Sequence, residues 1–78
     1  MNKLNDLVLK QHASYTNGLG AVHSWTAHDI VTYSIVAEGA GPTDDKAESQ
    51  LRVKLLNIGY DDLYVTKLFR TAVRIGQV

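Results

Sequence analysis

One proline, Pro42, divides the chain into two parts of different pattern. Proline fixes φ at about −65° and has no amide hydrogen, so it interrupts strands and helices alike. Gly39 and Gly41 stand beside it and strengthen the break. Ahead of it, β-branched and aromatic residues dominate. Behind it, apolar residues recur at helical spacing. The chain is therefore expected to form sheet first and helix second, an α+β architecture.

At 78 residues it is one domain, spanning 1–78. The 45% hydrophobic and 21% charged content is that of a folded chain rather than a disordered one. A chain this short buries only about 60% of its unfolded surface, so marginal stability or help from a partner is expected.

Residues 3–11 fit two periods. Leu4, Leu7, Val8 and Gln11 share a helical face, whereas Leu7, Leu9, Gln11, Ala13 and Tyr15 share a strand face. The expectation is a short N-terminal helix giving way to a strand near His12. Asn17-Gly18 predicts a type I′ hairpin, because both residues tolerate positive φ. Residues 21–26 alternate, and Ala27-His28-Asp29 reads as a second tight turn. Ile30 to Ala37 is rich in strand formers and should be a buried strand. These pieces assemble as a three-stranded antiparallel meander.

Thr43 is a good N-cap, and Asp44 and Asp45 suit the positive end of a helix dipole. Ala47, Leu51, Leu55 and Ile58 then share a face, and Gly59 can end a helix over 44–58. In the last segment, Val65, Leu68, Phe69, Ala72 and Val73 predict a second helix over about 62–75. Asp61 or Asp62 would cap it, and Gly76 would end it. The alternative rests on residue type: Tyr64, Val65, Thr66, Phe69, Thr71, Val73 and Ile75 favour a fourth strand. The expected core is Val22, Val31, Tyr33, Ile35, Leu51, Leu55, Ile58, Leu68, Phe69 and Val73.

The sequence has no cysteine, which excludes disulfides and thiolate metal sites. His12, His23 and His28 do not have a spacing that makes three or four ligands converge, so no metal is expected. Ser24 beside His23 and Ser14 near His12 lack any nucleophile elbow, and no catalytic residue is expected. The turn from Glu38 to Thr43 lacks a Walker lysine and is ringed by Glu38, Asp44 and Asp45, so no phosphate cofactor is expected.

Residues 39–47, Gly-Ala-Gly-Pro-Thr-Asp-Asp-Lys-Ala, resemble the sheet-to-helix junction of double-stranded-RNA-binding domains. The resemblance covers nine residues of 78. Asp44 and Asp45 stand where that family carries phosphate-gripping lysines, so it implies neither membership nor RNA binding.

Formal charge is zero overall but uneven. Lys3, Lys10 and Lys46 against Asp6, Asp29, Glu38, Asp44, Asp45 and Glu48 leave residues 1–50 at −3. Arg52, Lys54, Lys67, Arg70 and Arg74 against Asp61 and Asp62 leave residues 51–78 at +3. On a second helix, Lys67, Arg70 and Arg74 would stack as a basic stripe, with Tyr60 and Tyr64 flanking the turn before it.

These five residues are the expected partner contacts. The function expected is that of a small non-enzymatic regulatory or accessory protein that binds another protein with an acidic surface. The alternative is a nucleic-acid-binding module using the basic helix face. A homo-oligomer pairing the acidic part of one copy with the basic part of the next is a further possibility. No apolar run reaches the ~18 residues of a membrane span, and no secretory h-region is visible, so no membrane and a cytoplasmic location are expected.

Overall fold

The computed structural model describes residues 4–74, apart from the Arg74 side chain. Three strands come first: β1 (Leu7–Asn17), β2 (Gly20–Asp29) and β3 (Ile35–Gly41). Two helices follow, α1 (Asp44–Ile58) and α2 (Asp62–Arg70). A two-residue strand, β4 (Val73–Arg74), closes the described chain. The sheet order is β3-β2-β1-β4. The first three strands are antiparallel, and β4 lies parallel to β1 through Lys10↔Val73 and Gln11↔Arg74. The architecture is the expected α+β arrangement of an antiparallel meander followed by two helices. The alternative of a fourth strand across 62–75 fails, because Asp62–Arg70 is helical.

Two-residue periodicity wins at the N-terminus. Leu7 and Leu9 are both buried, and each is paired across to β2, Leu7↔Asp29 and Leu9↔Ala27. Residues 4–6 form no helix. The ladder to β2 satisfies backbone groups and buries alternate side chains together, which a lone helical turn could not do.

The hairpin falls where Asn17-Gly18 put it, with a different backbone. Positive φ is taken by Gly20 (123°), and the Asn17 side chain accepts from the Leu19 amide at 2.8 Å. The expected turn at Ala27–Asp29 is displaced. β2 continues through these residues because Ala27 is fully buried between Leu9 and Ala37 in the register. The chain turns at residues 30–34 instead. Val31 and Tyr33 are therefore exposed rather than core residues, and Ile35 is exposed too.

Along α1, Thr43 accepts from the Lys46 amide, and Gly59 ends the helix at φ 126°. Its buried stripe is narrow: Ala47, Leu51 and Leu55. Ile58, expected in the core, is exposed. The α2 helix ends five residues early. The Thr71 amide and hydroxyl both bond to Lys67 O at 3.1 Å, and Val73 then pairs with Lys10. Arg74 therefore lies in β4 and Val73 is exposed, while Ile75 and Gly76 fall outside the described residues. The core that forms is Leu7, Leu9, Trp25, Ala27, Ala47, Leu51, Leu55, Val65 and Leu68, with Phe69 packed against it. Val22 is only half-buried.

Helix α1 sits directly on β3. A Cβ on Gly39 would lie 2.7 Å from Leu51 N and 3.0 Å from Leu51 Cβ, and closer still to Ala47 O. The outer edge of β3 is covered by the same helix: Ala40 N donates to Gln50 Oε1 at 2.9 Å, and Lys54 Nζ donates to Glu38 O at 2.7 Å. Such covering blocks edge-to-edge pairing. Gly39→Ala should destabilise by about 1–3 kcal/mol, because backbone atoms of α1 must move. Gly18→Ala, where an added Cβ meets nothing within 4 Å, should change stability by less than about 0.5 kcal/mol. Urea midpoints of the two variants check the contrast.

Candidate functional site

The β2–β3 turn is apolar, exposed and tightly bonded. Asp29 organises it. Its Oδ1 accepts from the Val31 amide at 2.7 Å and the Thr32 amide at 3.1 Å. Its backbone bonds to Ser34 O at 2.9 Å and to the Tyr33 amide at 2.8 Å. Its Oδ2 accepts from Asn5 Nδ2 at 2.9 Å, and the Ile30 amide reaches Asp6 O at 3.1 Å. Tyr33 has φ 64°, the left-handed region that side chains usually avoid. Such strain costs of order 1–3 kcal/mol and persists only where the surroundings over-determine it. Yet the side chains held this way face solvent: Val31 is 65% and Tyr33 82% exposed. The Asn5 and backbone amide bonds depress the Asp29 pKa.

The segment that braces this turn also meets the inter-helix corner. Tyr60 and Tyr64 stack with centroids 5.8 Å apart and planes at 16°. Tyr60 Oη donates to Asn5 O at 2.8 Å. Tyr64 Oη accepts from the Leu7 amide at 2.9 Å and donates to Asp6 Oδ1 at 3.2 Å. Both tyrosines are half-buried. Burial raises both phenol pKa values, and the Asp6 carboxylate adds to the shift in each. Between this pair and the N-terminal segment lies a cleft of about 230 Å³, lined also by Leu4, Gly59 and Asp61.

A polar row lies on the opposite face of the sheet from Leu9 and Trp25. His12 Nε2 and His28 Nε2 approach Thr26 Oγ1 at 2.8 and 2.7 Å. The hydroxyl has one hydrogen, so it donates to one ring and accepts from the other. The row holds a hydroxyl beside two imidazole bases. A shallow cleft of about 330 Å³ beside it runs to Glu38, Gln50 and Lys54. No three His, Cys, Asp or Glu side chains among the described residues are arranged to hold a metal ion.

The structure breaks up the expected stripe. Lys67 and Arg70 are exposed in the last turn of α2, but Arg74 has left the helix for β4. Tyr60 and Tyr64 do come together, tied to the N-terminal segment. The apolar turn was not anticipated, because Ile30 and Val31 read as strand formers. The signal available was Asp29 itself, whose carboxylate can cap the two amides that follow it.

Comparison with protein-family models, with characterised proteins and with solved structures gives no match. No helix among the described residues is long and apolar enough to cross a membrane.

His28 carries a pH consequence. Burial lowers its pKa from 6.5, with Lys10 and His12 adding to the shift and a hydrogen bond to the Tyr33 backbone opposing it. The unfolded chain then takes up the proton first as pH falls. The His28 contribution is fully present above 6.5 and is lost as pH drops through the lower folded value. An NMR titration should place the His28 midpoint below 6.5, and the urea midpoint should fall less on acidification in His28→Gln than in wild type.

Proposed function

We propose that this chain is a small non-enzymatic binding protein that occupies a surface on a partner protein, using the end of the sheet that carries the β2–β3 turn. The observation carrying this reading is the rigid display of apolar side chains. Asp29 and the N-terminal segment fix a turn that presents Val31 and Tyr33 to solvent. A loop ordered before binding loses little entropy when a partner arrives. Tyrosine is among the residues enriched in binding hot spots, and Val31 adds exposed apolar area beside it. A cytoplasmic site of action and a regulatory or accessory role are part of this proposal.

Nucleic-acid binding is less well supported. It would rest on Lys67 and Arg70 alone on α2, and each lost phosphate contact lowers both affinity and salt sensitivity.

Tyr33→Gly separates fold from function. Glycine takes positive φ freely, and little packing is lost at so exposed a residue. This variant should gain up to about 1 kcal/mol of stability. Paired with Val31→Asp, it should lose partner binding. Affinity capture from native lysate, with and without nuclease, checks this. A nuclease-resistant partner retained by Lys67→Glu/Arg70→Glu but lost by the turn variant supports the reading. The opposite pattern, with capture abolished by nuclease, overturns it in favour of nucleic acid.

A further inference from the structure

We infer that the cleft between the N-terminal segment and the Tyr60–Tyr64 pair receives a cationic side chain, a guanidinium or alkylammonium group, of the protein partner. This inference rests on the protein-binding reading above and deepens it.

The chemistry of the lining sets the sign of the ligand. Aromatic ring faces are electron-rich and attract cations. Two stacked tyrosines line the cleft, and two carboxylates, Asp6 and Asp61, stand with them. The tyrosine oxygens are engaged with Asn5, Leu7 and Asp6, so they are not free to receive an anion. Each carboxylate spends one oxygen on a local bond, Asp6 Oδ1 on Tyr64 and Asp61 Oδ2 on the Leu63 amide. Among the described residues, no lysine, arginine or histidine lines the cleft.

One effect opposes this assignment. Asp61 is the N-cap of α2, and a helix N-terminus favours anions. The helix end carries about half a positive charge. Asp61 alone outweighs that, and Asp6 adds a second full negative charge. The charges of the described lining residues therefore favour a cation.

Position makes the ligand a side chain of the partner rather than a separate molecule. Asn5 and Asp6 line the cleft and also hold the apolar turn, through Asp29 and Ile30. Cleft and turn are two parts of one surface. A partner seated on Val31 and Tyr33 would bring an adjoining arginine or lysine to the tyrosines. The preferred partner surface is thus apolar with a basic residue at its margin, the reverse of the acidic surface that the charge pattern of the sequence suggests.

The test is an amide-resolved NMR titration of the full chain at constant ionic strength. The probes are N-acetyl-arginine amide and tetramethylammonium chloride, with N-acetyl-glycine amide as the neutral control. Saturable shifts at residues 4–6, 59–61 and 64 are expected from both cations and not from the control. Asp61→Asn keeps a capping side chain, and Asp6→Asn keeps an acceptor for Tyr64. Each should weaken cation binding roughly five-fold.

Tyr60→Leu should abolish tetramethylammonium binding while His28, which does not line the cleft, titrates as in wild type. Absent shifts, equal shifts from the neutral control, or binding indifferent to the Asn variants would each overturn the cation site. That failure would leave the turn's role standing if the turn variant still loses its captured partner. Cation binding together with unchanged capture by the turn variant would overturn the turn's role in binding instead.

Discussion

The buried indole of Trp25 is the point on which the fold turns. It lies on the central strand and is fully buried. An indole N–H removed from water costs about 1–3 kcal/mol unless it finds an acceptor. Asp44, the first residue of α1, supplies one at 2.9 Å, and the same oxygen takes Gln11 Nε2 at 2.7 Å. That carboxylate thus joins β1 and β2 to the start of α1. It also sits where a negative charge offsets the helix dipole. Gly39 is the neighbour of Trp25 on β3, and α1 comes down onto that glycine. The break at Pro42 lies where the chain must leave β3 to bring Asp44 over the indole.

The second helix follows from the same residue. Phe69 meets Trp25 edge-on at 5.2 Å, a favoured aromatic geometry. Arg52 lies over the other ring at 5.4 Å while bonding Asp62 at 2.7 Å and Thr66 at 3.1 Å. One arginine on α1 thereby contacts three residues of α2, Asp62, Thr66 and Phe69. With α2 set, Tyr60 and Tyr64 fall against residues 5–7, and those residues brace the β2–β3 turn. The proposed binding end is therefore positioned by the core rather than appended to it.

Much of this was legible in the sequence, and the failures have physical reasons. Helix α1 and its caps were readable because Thr43, Asp44, Ala47, Leu51, Leu55 and Gly59 all specify the same element. Its burial was less so, since Ile58 fits the stripe yet is exposed. Strand β1 was ambiguous because Leu7 and Gln11 satisfy both periods. Only pairing with β2 decides between them. An irregularity in register between His12 and Tyr15 then changes which residues share a face, and no local pattern announces it. The end of α2 was misplaced because Ala72 and Val73 continue the apolar spacing, while the unpaired edge of β1 offers Val73 a ladder instead. Of the candidate site, Tyr60 and Tyr64 were visible as aromatics at a turn. The apolar turn was hidden by its own composition, since β-branched residues read as strand wherever they stand.

Tyr33 shows why composition and role diverge there. Nothing in the core requires a tyrosine in a left-handed conformation at a solvent-facing position. Glycine or asparagine would satisfy the same backbone at lower cost. The turn also spends two amides on the Asp29 carboxylate and a side-chain bond to Asn5 to stay fixed. In a domain of this size, with a core of nine buried apolar residues among those described, stability is not in surplus. A rigid, strained and apolar turn therefore lowers stability with no gain to the isolated fold. Such a balance is consistent with a surface completed by a partner, whose contact would bury the exposed rings and aliphatics and add the stabilisation that the free chain forgoes.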